Sequence, residues 1–182
     1  PTSTAGTASL RSAGPNSTNH MYHTWWWWRL QSDPREFAFH NGLATQPAPT
    51  SVYAPDRVVM TWPNVDRRGL AARLELRLIS TGTAGAVLVQ KMTVTNNTGA
   101  PITLNLYGYN DLNQCGMFDN AAVSPRANLQ VITDSMCGTI AQVFAPGANH
   151  HEVASFPLVR LRLVDPVADV LNDAGLPYSP GD

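Results

Sequence analysis

From Leu70 to Ile79 the chain alternates with a period of two. Leu70, Ala72, Leu74, Leu76 and Leu78 fall on one side, and Ala71, Arg73, Glu75 and Arg77 on the other. Successive side chains of a strand point to opposite faces, whereas a helix groups residues three and four apart. The pattern therefore predicts a half-buried antiparallel strand. Thr81-Gly82-Thr83-Ala84-Gly85 turns it, and residues 86–95 (AVLVQKMTVT) read as the next strand. Asn96-Asn97-Thr98-Gly99 turns again. Residues 101–109 (PITLNLYGY) then form a third strand, with Ile102, Leu104 and Leu106 facing in and Thr103, Asn105 and Tyr107 out. Connections this tight predict a three-stranded meander.

Four consecutive tryptophans, Trp25 to Trp28, stand in the segment 20–30 (HMYHTWWWWRL). Aromatic enrichment favours a strand. On a strand Trp25 and Trp27 take one face and Trp26 and Trp28 the other, so both faces are covered or one pair is exposed. Asp33-Pro34 ends this strand. Phe37 and Phe39 then alternate onto one face before the Asn41-Gly42 turn signal.

Further along, residues 44–56 contain three prolines and read as loop. Residues 57–62 (RVVMTW) are a short strand stopped by Pro63, and 63–69 a turn. Residues 110–126 read as a long loop, and 127–133 with 138–144 as a hairpin. Residues 150–156 would add a strand, and a short helix is expected within 166–173. About nine short strands without helix–strand alternation predict an all-β, antiparallel β-sandwich with meander, Greek-key or jelly-roll-like connections, in one domain over residues 20–182. Residues 1–19 are small and polar and are expected to form a flexible arm. The chain opens on Pro1, as signal-peptide cleavage or clipping would leave it. It closes on the turn chemistry Tyr178-Ser179-Pro180-Gly181-Asp182, after which one more strand is expected.

Composition narrows the compartment. A chain of 182 residues can bury roughly 70% of its unfolded surface, so no metal is required for a core. Charged residues are only 14%, against about 25% in typical soluble domains, a profile common among extracellular β proteins. The net charge is −1 and no basic stripe exists, which argues against nucleic-acid capture. Eleven arginines against the single Lys91 suggest GC-rich coding and a bacterial source. No run of about 18 apolar residues is present to span a membrane. Cys115 and Cys137 form no CxxC pair, and each lies in a Gly-containing stretch. A disulfide in an oxidising compartment is the expectation, with two buried thiols as the alternative.

Several stretches resemble a group of exported bacterial proteins, mostly cyanobacterial and of uncharacterised activity, that often carry a C-terminal sorting signal. The resemblance rests on His20-Met21-Tyr22 before the tryptophan run and Arg29, on Val94-Thr95-Asn96, and on Leu104-Asn105-Leu106-Tyr107. It continues through Ala145-Pro146-Gly147 with His150, Ser155-Phe156-Pro157, and Leu171-Asn172-Asp173 leading to Gly181-Asp182. It implies export, a β fold and continuation past the final Gly-Asp, and carries no catalytic role.

The residues that could carry chemistry are few. His20 with His23, and His150 with His151, could join Asp111 or Glu152 around a metal, or simply hydrogen-bond to backbone in polar loops. Asp111, Asp119, Asp134 and Glu152 offer carboxylate pairs of the kind glycosidases use, but any chain with thirteen acidic residues does so. No GxSxG elbow or phosphate-binding glycine loop is present. Asn96-Asn97-Thr98 and Asn16-Ser17-Thr18 match the N-glycosylation pattern and imply surface exposure. The excess lies in the aromatics. Tyr22, Trp25, Trp26, Trp27, Trp28 and Trp62 could fill the core, pack across a subunit interface or form a platform for sugar rings. The function expected is therefore a secreted or cell-surface structural protein, without enzymatic activity or cofactor. It would associate with itself or with envelope or extracellular-matrix components, with polysaccharide binding as the first alternative and a histidine metal site as the second.

Overall fold

The computed structural model describes residues 18–21, 23–33, 37–39, 49–82, 85–112, 114, 121–126, 128–133 and 140–149. Cys115, Cys137, His150, His151, Tyr22 and the segments 1–17 and 150–182 lie outside the described residues. Among the described residues ten strands run in chain order: β1 His23–Leu30, β2 Phe37–Ala38, β3 Thr50–Ala54, β4 Arg57–Val65, β5 Leu70–Ser80, β6 Ala86–Asn96, β7 Leu104–Asp111, β8 Ala121–Arg126, β9 Leu129–Thr133 and β10 Ile140–Phe144. The fold is all-β and sandwich-like, with antiparallel sheets ordered β2-β1-β7, β3-β4-β5-β6 and β10-β9-β8. Chain contacts divide it into two compact units, one of Trp26–Ser32 and Phe37–Leu106, the other of Pro1–Trp25, Asp33–Glu36 and Tyr107–Asp182.

The first unit holds the aromatic core. β5 pairs with β6 at every position from Leu70↔Asn96 to Ser80↔Ala86. The predicted alternation places Leu70, Ala72, Leu74 and Leu76 in a buried cluster with Trp28, Phe39, Met60, Trp62 and Val65. Trp28 and Phe39 come from the layer facing the four-stranded sheet, so the cluster is the filling of a two-layer sandwich.

β4 does not stop at Pro63. It runs on to Val65, with a register shift between Trp62 and Val65. Pro63 has no N–H for a ladder, and a bulge is where a strand tolerates that. The extra residue also resets the alternation, so Trp62 and Val65, three apart, are both buried.

The turn that follows has Asp66 at φ 46° and Arg67 at φ 60°, and the Arg68 N–H donates to the Val65 carbonyl at 2.9 Å. Two central residues at positive φ match the twist of the flanking strands, as in primed turns. Gly69 continues at φ 71°, and its N–H donates to Asn64 Oδ1 at 2.9 Å. A Cβ on Gly69 would stand 2.9 Å from Thr98 Cγ2, so both backbone hand and space require glycine.

The expected meander ends at β6. β7 lies beside β1 in the other sheet, not beside β6. The connection explains this. Asn96 Oδ1 accepts from the Thr98 N–H (2.9 Å) and hydroxyl (2.7 Å), and Asn96 Nδ2 donates to the Ala100 carbonyl at 2.6 Å. That side-chain turn, with Gly99 at φ 78°, redirects the chain, and Pro101 brings no N–H to extend a ladder. The Gln31 N–H then donates to the Thr103 carbonyl at 3.2 Å, setting this segment beside the end of β1. Ile102 and Leu104 pack against the core as expected, whereas Leu106 is exposed.

Two strands lie where loop was expected. β3 occupies Thr50–Ala54 within the proline-rich 44–56, pairing with β4 from Thr50↔Thr61 to Ala54↔Arg57. β8 occupies Ala121–Arg126 at the end of 110–126, and its register shifts between Val123 and Arg126, where Pro125 sits. In this second unit β9 and β10 form the expected hairpin, from Ile140↔Thr133 to Phe144↔Leu129. Gln114 is buried there, and its Nε2 donates to the Ile132 carbonyl at 3.0 Å.

Candidate functional site

The tryptophan strand is the first place to look for a site, and Trp27 and Trp28 in it are buried. Trp28 is 0% exposed and Trp62 1%. Trp28 faces Phe37 across the β1–β2 pair, with centroids 5.2 Å apart and rings tilted by 34°. Phe39 bridges Trp28 (6.4 Å) and Trp62 (5.6 Å). The Arg68 guanidinium closes the cluster, 5.4 Å from the Trp28 ring and 5.5 Å from Phe37. Tilted rings at these separations, with a cation over the face, are favourable for aromatic quadrupoles. Trp26 shares the Trp28 face, packs partly buried against the core, and donates its indole N–H to Gln90 Oε1 at 3.0 Å. Trp27, on the other face, is also buried. The strand is thus covered on both sides at Trp27 and Trp28.

A sugar platform built from Tyr22, Trp26, Trp28 and Trp62 needs these rings on one open face. Trp28 and Trp62 are core residues and Trp26 is half-buried, so the described indoles do not make such a face. The side chain of Trp25 and all of Tyr22 lie outside the described residues.

Of the two histidine sets only the His20 side chain is among those described. His20 is half-buried before β1, and His23 begins β1. Among the described residues no group of three or more His, Cys, Asp or Glu side chains could hold a metal ion. Asn96, Asn97 and Thr98 of the glycosylation pattern are all exposed. No helix among the described residues is long and apolar enough to cross a membrane.

The outer face of the four-stranded sheet carries charge. Arg73 Nη1 lies 2.8 Å from Glu75 Oε2, Arg57 Nη1 3.8 Å from Glu75 Oε1, and Arg77 Nε 3.4 Å from Asp56 Oδ2. The hydrogen bond from Arg73, with the charges of Arg73, Arg57 and Lys91, holds the Glu75 carboxyl below the usual carboxylate range against some desolvation. These are solvated surface pairs that order the face.

The free surface of interest is the far end of this sheet. There Leu78 on the inner face is 42% exposed, and on the outer face Ile79 is 41%, Val87 48% and Val89 41% exposed; Val52 and Tyr53, both 62% exposed, lie on β3. Inner and outer assignments follow from the register, which sets Leu78 opposite Leu88 and Ile79 opposite Val87. Leu78 thus departs from its expected burial: the alternation persists, but the core does not extend this far. Sequence reasoning did not mark these residues. The available signal was the apolar run Ala86-Val87-Leu88-Val89, which does not alternate as a half-buried strand should.

No known family model matches the chain. No curated protein and no solved structure matches it either.

Proposed function

We propose that this chain is an exported, cell-surface structural protein that works by assembling with itself or with envelope components, and not by catalysis. The observation that carries the reading is the apolar end of the four-stranded sheet, exposed on both faces. Apolar side chains left open together at one end of a sheet are a feature that association sites share. The low charge content, 14%, and the charge-ordered outer face next to this end fit a β protein that works outside the cell. A Cys115–Cys137 disulfide belongs to the same reading, and an intact mass lighter by two hydrogens under non-reducing conditions would support it.

The sugar-platform reading has less support, because two of the indoles it needs lie in the core. Light scattering on the purified chain, run beside a fluorescence titration with oligosaccharides, separates the two. Assembly predicts a native mass at a multiple of 19.7 kDa and no saturable quenching. A single-chain mass with saturable quenching would transfer the assignment to carbohydrate binding.

A further inference from the structure

We propose that the outward face of the four-stranded sheet binds an acidic polysaccharide, a polymer of uronic-acid type, through Arg57, Arg73, Arg77 and Lys91. This inference rests on the cell-surface reading and names the envelope component that this face takes. It makes no use of the apolar end of the sheet.

The register brings these residues together. Residues directly opposite on paired strands share a face, and every second residue along a strand returns to it. Leu70, Ala72, Leu74 and Leu76 of β5 are buried, so Arg73, Glu75 and Arg77 point outward. β4 sets Arg57 opposite Arg77 and Thr61 opposite Arg73. β6 sets Lys91 opposite Glu75 and Thr93 opposite Arg73. β3 adds Thr50 opposite Thr61. Four cations from three strands thus gather around Glu75.

The charges there do not cancel. Glu75 serves two arginines, Arg73 at 2.8 Å and Arg57 at 3.8 Å, and Asp56 serves Arg77 at 3.4 Å. Lys91 is exposed and forms no ion pair among the described residues. Four cations against two carboxylates leave +2 on this face, in a chain whose total is −1. Arg57 and Arg77 also stand directly opposite one another, an arrangement that costs free energy unless anions lie against it.

The side chains define the ligand. The arginine side chains are 43–57% exposed, so each contact is made in water and is weak alone. Affinity then comes from engaging several at once, which a polymer of repeated negative charge does. Three of the four cations are arginines, whose planar fork takes a carboxylate through two parallel hydrogen bonds. Thr50, Thr61 and Thr93 lie in one row with Arg73 across the sheet, and they bring hydroxyls that can bond to those of a sugar. The outward residues of β3 to β6 include no aromatic side chain on which nucleic-acid bases could stack.

Calorimetry of the full chain with polygalacturonate tests this, with the methyl ester of the same polymer as the uncharged control. Binding should saturate, weaken as salt is raised, and be absent with the ester. Arg77→Gln with Lys91→Gln, at two exposed positions, should raise the dissociation constant about tenfold. Glu75→Gln should act in the opposite direction. It removes the central competing carboxylate, frees Arg73 and Arg57, and should lower the dissociation constant about threefold. A residue with a purely structural role would not tighten binding when removed. No binding to polygalacturonate, equal binding to the ester, or weaker binding by Glu75→Gln overturns the inference. Tighter binding to single-stranded DNA or to phosphatidylglycerol vesicles overturns it as well, since the face then belongs to another polyanion. A chain that assembles but binds no polygalacturonate loses this inference alone; one that binds and stays single keeps it and loses self-association.

Discussion

Trp28 gives up all solvent contact and lies between Phe37, Phe39 and Arg68. Its indole N–H is buried without a hydrogen-bond partner, which forfeits the bond that water would supply. The ring is held there by buried area, ring packing and the Arg68 cation, not by a hydrogen bond. Trp28→Ala should therefore lose about 3–5 kcal/mol in denaturant unfolding. Trp28→Phe should lose clearly less, because it fills much of the space and removes the unpartnered donor; equal losses would contradict this account of the site. Gly69 makes a second point at this scale. Gly69 and Gly99 both have positive φ, but only Gly69 has Thr98 Cγ2 in the way of a Cβ. Gly99→Ala should lose about 1–2 kcal/mol from backbone hand alone, and Gly69→Ala more. Adding Thr98→Ser, which deletes that methyl, should return the excess in a double-mutant cycle.

Among the elements, β5 shows where alternation is a sufficient guide and where it fails. Leu70 to Leu76 are buried as their spacing predicts, because a covering layer faces them; Leu78 has the same spacing and no such cover. Period reports which face a residue shares, not how far the opposing layer reaches. β3 escaped notice for a related reason: its five residues are mostly exposed, so burial has imposed no pattern on them. β4 and β8 each carry a proline at a bulge, a feature that reads from sequence as a stop. β7 was legible as a strand, but its neighbour was not. The turn at Asn96–Ala100 that sends it to the other sheet is built from side-chain hydrogen bonds, and its residues alone resemble any hairpin turn. The facing of the tryptophans was half legible: the pairs followed from geometry, the choice of core face did not. Likewise Val87 and Val89 were visible as apolar, but edge position depends on neighbours the local sequence does not name.

The outer face of β5 yields a prediction with a definite sign. Glu75 has its folded pKa lowered, chiefly by the Arg73 hydrogen bond, so its pairing contributes above the ordinary carboxylate value near 4.3 and is lost as pH falls through the folded value. Wild type should be slightly more stable than Glu75→Gln at neutral pH, and the two should converge in acid. The difference should shrink in high salt, since the group is solvated. Melting curves across pH check this, and a gap that widened in acid would contradict it.

At the scale of the whole molecule, a sheet that ends in exposed apolar residues on both faces is an unfinished surface. If association finishes it, stability becomes linked to concentration by mass action, and the melting temperature should rise with the amount of chain. The most direct test of assembly is sedimentation equilibrium on the unmodified 182-residue chain over a wide range of concentration. The account predicts a mass that moves from 19.7 kDa at high dilution to a multiple of it. A mass that stays at one chain throughout would contradict it.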